Sequence, residues 1–152
     1  LVSTIDNLSV GKLRVGGFKK AMEASNLSLN NELIVIENDI ELFDNKLIEL
    51  FNTKKVDAVF ALDEHASTMA MKFALKKGIK IPEELNIIGF ADGVWSRRLT
   101  PSLSTVSQHA PEIGAKAAEL LIHKLNSKDE FYQPQTVVIK TELRQRESTR
   151  KL

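Results

Sequence analysis

The chain has 152 residues, 43% hydrophobic and 27% charged, the balance of an ordinary globular protein long enough for one sizeable core. Lysine and arginine number 21 against 20 acidic residues, for a net charge of +1, so the surplus of cations that phosphate-backbone binding depends on is missing. There is no cysteine, which excludes disulfides and thiolate metal sites, and no apolar run approaches the roughly 20 residues of a membrane-spanning helix.

No signal peptide opens the sequence. Leu1-Val2-Ser3-Thr4-Ile5 reads as the inside of a strand, so the sequence is expected to be a piece of something longer. A helix pattern follows, with Val10, Leu13, Gly17, Phe18, Ala21 and Met22 at helical spacing and Asn7 or Ser9 able to cap its start. Leu33 to Ile36 is a β-branched run and reads as a strand. Asn38 or Asp39 caps a second helix with Phe43, Leu47, Leu50 and Phe51 on one face. Val56 to Ala61 is the next strand. Asp63 opens a third helix, which stops at Gly78 with Pro82 beyond. Leu85 to Phe90 is the fourth strand. Ser102 to Gln108 is strand-like, Pro111 suits a first helical turn, and Ile113, Ala117, Leu120, Leu121 and Leu125 form a stripe. A polar loop spans 126–133, Thr136 to Ile139 reads as a strand, and Glu142 to Arg146 can continue it.

Strands alternating with helices imply an α/β fold, a doubly wound parallel sheet with helices on both faces. Such sheets bind ligands at the carboxyl ends of their strands. Those ends are Asp6-Asn7, Glu37-Asn38, Leu62-Asp63 and Ala91-Asp92.

Few residues at that edge carry an obvious chemistry. There is no Gly-x-Ser-x-Gly elbow, phosphate-cradling glycine loop or His-Glu-x-x-His pair. His65, His109 and His123 lie on different elements, where structural or surface roles are expected. Arg14, on the edge of the first helix's apolar face, can fork to paired hydroxyls or a carboxylate; an arginine lying over the core fits the same spacing. Asp63-Glu64 reads first as an N-cap with an acid in the first turn, and a cap at this edge also faces the ligand crevice. The third helix has two apolar faces, Ala66, Ala70, Phe73 and Ala74 against Ser67, Met71 and Leu75. A helix on a sheet needs one, so the second, with Met71 and Leu75, is expected to meet another copy of the chain. Trp95, in the run to Arg98 and Leu99, fits a subunit contact, with a core position or a ligand-stacking role as alternatives.

Four stretches in order carry a family resemblance: the strand-Asp-helix-Gly-x-x-Ile-Pro block around Asp63, Ile87-Ile88-Gly89-Phe90, the Pro-x-Leu-Ser-Thr-Val-x-Gln run from Pro101 to Gln108, and Glu-Leu-x-x-Arg-x-Ser-Thr at 142–149. With the Arg14-x-x-Gly17-Phe18 helix, they resemble the LacI/GalR family of bacterial transcription regulators over nearly the whole chain. The resemblance implies a periplasmic-binding-protein-like type I, Rossmann-like αβα C-terminal lobe at 1–108. It implies a crossover helix and terminal strands at 109–152, with the N-terminal DNA-binding domain and most of the other lobe absent. It implies a non-enzymatic, cytoplasmic sensor that binds a small-molecule effector of carbohydrate type. The resemblance also implies a homodimer that reaches operator DNA through the missing domain, without cofactor or membrane. Effector contacts carry over to Arg14, Asp63 and Gln108, and Phe90 joins them at the strand end. Ala91 stands where many members place a sugar-binding aspartate, and Asp92 is expected to substitute from the next position. The dimer contact is placed at Met71, Leu75, Trp95, Arg98 and Leu99. If the other lobe is missing, the apolar stripe from Ile113 to Leu125 is expected to pack elsewhere, swap into a partner or become disordered. A periplasmic sugar-binding protein shares the fold and is the first rival; an α/β enzyme, lacking any nucleophile–base pair, is the second.

Overall fold

The computed structural model describes residues 1–90, 92–127 and 133–150. In chain order its elements are β1 (Val2–Ser3), α1 (Ser9–Ala24), a 3-10 turn (Asn31–Leu33), β2 (Val35–Ile36), α2 (Ile40–Thr53), β3 (Ala58–Ala61), α3 (Glu64–Lys76), β4 (Asn86–Phe90), α4 (Val94–Arg98), β5 (Ser104–Ser107), α5 (Ala110–Asn126) and β6 (Glu142–Arg144). The strands form one sheet in the order β2-β1-β3-β4-β5-β6. The first five are parallel, and β6 returns antiparallel to β5 with Ser107 opposite Glu142. The expected doubly wound sheet is therefore present, and the order reverses between β1 and β3, the switch point at which such sheets open a crevice.

Strand alternation divides the core. Val2, Val59, Ala61 and Ile87 point to the face covered by α2 and α3, where Phe43, Leu47, Ala70 and Met71 meet them. Phe43 and Leu47 are fully buried, and burying a side chain of that size stabilises by about 2–3 kcal/mol. On the other face Leu1, Val15 and Leu62 form a smaller cluster with Phe18 and Phe60, whose ring centroids lie 6.1 Å apart. Among the described residues, α1 supplies the helical cover of this cluster. Beyond it, over β4, β5 and β6, an open apolar trough of about 780 Å³ is floored by Ile88, Phe90, Val106 and Leu143.

Local chemistry explains the helix boundaries. Asp39 caps α2 by accepting from the Leu42 N–H at 3.0 Å, and Asp63 caps α3 by accepting from the Ala66 N–H at 2.8 Å. Gly78 ends α3 at φ +71°, a left-handed turn that suits glycine. The start of α1 differs from expectation. Leu8 occupies the cap position and makes no side-chain hydrogen bond, while the Asn7 N–H donates to Asn38. Packing replaces the cap there: a Cβ on Gly11 would lie 2.0 Å from the Ile5 carbonyl oxygen, so α1 presses directly on the turn that follows β1.

Three further expectations need correction. The second apolar face of α3 is mostly covered within the chain, Ser67 at 3% and Met71 at 2% exposed, with only Leu75 at the surface at 47%. The reason is Gly89: a Cβ there would sit 3.0 Å from the Ser67 Cβ, so its absence lets α3 settle over both β3 and β4. Met71 therefore offers no surface to a second copy. The Thr136 to Ile139 run forms no strand. Its β-branched residues favour one, but the run lies alongside α5 and does not pair on the outer edge of β6. Residues 94–98, read as part of a contact segment, form the short helix α4. The helix α5 does form, yet it buries none of its residues, and Leu121 and Leu125 are 57% and 74% exposed. Most of the polar loop, 128–132, and Ala91 lie outside the described residues.

Candidate ligand-binding site

The carboxyl edge of the sheet brings Arg14 and Gln108 together from opposite ends of the chain. The Arg14 guanidinium donates from Nη1 to the Leu62 carbonyl at 2.7 Å and from Nη2 to Gln108 Oε1 at 2.9 Å. Its Cζ stands 3.8 Å from the centroid of the Phe90 ring, a cation–π stack that fixes the plane of the fork. Burial lowers the Arg14 pKa, and the nearby Asp63 charge works against that. Because Gln108 Oε1 accepts from Arg14, the NH2 of its amide is the group left to act as a donor pair.

Asp63 lies beside this group, but as a structural pin. It is 7% exposed. Besides capping α3 it accepts from the Thr4 N–H at 2.8 Å and the Thr4 hydroxyl at 3.0 Å, tying the end of β1 to the start of α3. Two cavities meet at Gln108. The apolar trough takes in Arg14 and Phe90. A polar crevice of about 440 Å³, between the strand ends and the start of α5, takes in Glu64, Asp92, Arg97 and Arg144.

Asp92 is engaged on both oxygens. Oδ1 accepts from Arg146 Nη2 at 2.6 Å, Thr105 Oγ1 at 3.0 Å and Ser96 Oγ at 3.1 Å, and Oδ2 accepts from Arg144. Burial alone would push its carboxyl up. The hydrogen bonds from Arg146, Thr105 and Ser96, with the Arg146 charge, outweigh burial and hold it at about 2. Its side chain is 5% exposed, so Asp92 is a clamp between β4, α4 and β6 with little capacity left for a ligand. Arg146 extends the clamp by donating to the Leu103 carbonyl at 2.6 Å, and Ser148 joins it, donating to the Ile87 carbonyl and accepting from the Ser104 N–H. The closing motif at 142–149 thus locks β4 to β5.

The histidines take structural positions. His65 pairs with Asp44 at 3.2 Å between α3 and α2. His109 begins α5 in the left-handed region at φ 53°, 3.7 Å from Glu142. Among the described residues no cluster of histidine and acidic side chains could hold a metal ion. The sequence reading put Glu64 at this edge only as a first-turn acid beside the Asp63 cap, and did not place Arg97 there. Glu64 carried a signal in its position directly after the Asp63 cap; Arg97 carried none apart from its nearness to Trp95.

A family model described as periplasmic binding protein-like domain matches residues 2–149. The chain belongs to this family. Among curated relatives, the HTH-type transcriptional regulator MalR of Clostridium butyricum is 30% identical over 95% of the chain and 43% of the relative. The HTH-type transcriptional repressor PurR of Actinobacillus pleuropneumoniae is 33% identical over 95% of the chain and 44% of the relative. The chain thus spans under half the length of these regulators. A solved structure of the transcriptional regulator CelR in complex with cellobiose superposes with a TM-score of 0.83 over 97% of the chain and 45% of that protein, at 23% identity, a likeness of fold. These relatives bear out the resemblance to the effector-binding portion of LacI/GalR regulators, and they are regulators, not enzymes. No described helix of this family member is long and apolar enough to cross a membrane.

Proposed function

We propose that this chain is the effector-sensing lobe of a cytoplasmic, homodimeric transcription regulator whose ligand is a carbohydrate. The observation that carries the reading is the Arg14–Gln108 hydrogen bond. It joins α1 to the residue at which the chain leaves the sheet for α5, so a ligand held on Gln108 touches both the lobe and the crossover. Gln108 offers its amide donors, and Arg14, engaged by Leu62 and Gln108, positions that amide. A ligand that prefers one placement of the crossover shifts the population of lobe arrangements by its difference in affinity, and a second copy relays the shift to DNA-binding heads elsewhere in the protein. Trp95, 65% exposed on α4, with Arg98, Leu99 and Leu75, is the proposed contact between copies. Leu99 packs partly on the core and orients the others. The curated relatives, which are HTH-type regulators, favour this reading over a periplasmic carrier of the same fold.

The test is to titrate a panel of mono- and disaccharides into the intact regulator while recording operator binding. A change in DNA affinity with one of them, lost in Gln108→Ala, supports the reading; no change with any of them counts against it. Sedimentation of Trp95→Asp checks the contact, which predicts a shift toward monomer.

A further inference from the structure

With Asp92 fully engaged, the carboxyl edge needs another acceptor if it is to read hydroxyl groups. Glu64 is the candidate. It is the first residue of α3, its side chain lines the polar crevice, and among the described residues no hydrogen bond or ion pair engages its carboxylate. Its position is specific: Oε1 lies 3.0 Å from where a Cβ on Gly93 would be. The carboxylate has crossed from the end of β3 to the end of β4 and fills the space left by the missing side chain. Gly93 has φ −69°, a conformation open to any residue, so this space and not backbone freedom is what the glycine provides.

Gln108 lines the same crevice; its oxygen accepts from Arg14, which leaves the NH2 as its donor group. A hydroxyl group both donates and accepts, and an acceptor with a donor pair satisfies both needs. With Glu112 at the start of α5, the crevice sets the carboxylates of Glu64, Asp92 and Glu112 against the guanidinium groups of Arg97 and Arg144, so no surplus of cations favours an anion.

We propose that Glu64 is the residue that reads the effector's hydroxyl groups, with Gly93 keeping the space its carboxylate occupies and Gln108 supplying the donor. The ligand class is a neutral polyhydroxylated molecule, and the proposal rests on the effector reading above.

The experiment uses the intact regulator and calorimetric titration with D-glucose, cellobiose and the monodeoxy-D-glucoses. Glu64→Gln is expected to weaken binding by about tenfold or more, the usual weight of a hydrogen bond to a charged group, with an unchanged melting temperature. Gly93→Ala, which pushes the carboxylate aside, is expected to weaken binding similarly and to add little on top of Glu64→Gln, because both act on one group. One monodeoxy sugar that binds the wild type poorly should lose nothing further on Glu64→Gln, a signature that a purely structural role would not give. Undiminished affinity in Glu64→Gln for a sugar the wild type binds overturns the assignment and leaves the effector reading standing, as does a loss seen with Glu112→Gln in its place. Failure of every probe to bind the wild type removes the carbohydrate reading and this assignment together.

Discussion

At the scale of single residues, the chain spends its acids on structure more than the sequence suggests. Asp63 and Asp92, both placed among ligand contacts by resemblance, are held by internal donors. Asp92 was hard to read because its arginine partners are 52 and 54 residues away and meet it only once β6 lies beside β5. Arg14 was legible in position but not in partner: helical spacing put it near the strand ends, while Gln108, 94 residues on, was reachable only through family resemblance. Replacing Asp92 by Asn should destabilise the fold by on the order of 2 kcal/mol, since Arg144 and Arg146 lose their shared counter-charge in a largely buried place. The sign with pH follows from the depressed carboxyl. Its stabilisation is complete above the ordinary aspartate value of 3.8 and is lost as pH falls toward about 2. Urea denaturation of wild type and Asp92→Asn across that range should show the gap between them closing as pH falls through it.

At the scale of elements, periodicity was a good guide where one face meets one sheet. The stripe of α2 was legible residue by residue, and all four of its predicted apolar positions are buried. Leu47→Ala should therefore cost about 2–5 kcal/mol by chemical denaturation, and Asp39→Ala about 1 kcal/mol through loss of the cap. Periodicity failed where the neighbour decides. The α3 pattern implied an outer partner, yet Gly89 admits a second contact inside the chain. The Thr136 to Ile139 run has strand composition but lies beside α5 and pairs with no strand. Close approach is likewise invisible in one dimension: nothing in the sequence singles out Gly11, while its missing Cβ is what lets α1 lie on Ile5. Gly11→Ala should lower the melting temperature more than Gly17→Ala, at which a Cβ meets nothing within 4 Å, and scanning calorimetry of the two variants checks the order.

At the scale of the whole molecule, the parallel sheet with its alternating helices was the most legible feature, because such alternation leaves few ways to wind a fold. The reversal of β6 was not, since one antiparallel strand at an edge has no periodic signature. That reversal places the two connections to α5 side by side, with Ser107 paired to Glu142. The chain leaves the sheet after Ser107 and rejoins it at Glu142, and no residue of α5 is fully buried. The excursion is thus a removable insert. Antiparallel neighbours can be closed by a two-residue Asn-Gly turn, so a chain in which that turn replaces 108–141 should keep the six-stranded sheet and unfold cooperatively, with its amide spectrum preserved in β1 to β4. Seen this way, the edge formed by β5 and β6 is a grafting port. A different helix, or a reporter domain whose ends lie close together, can be spliced there with the sheet left intact.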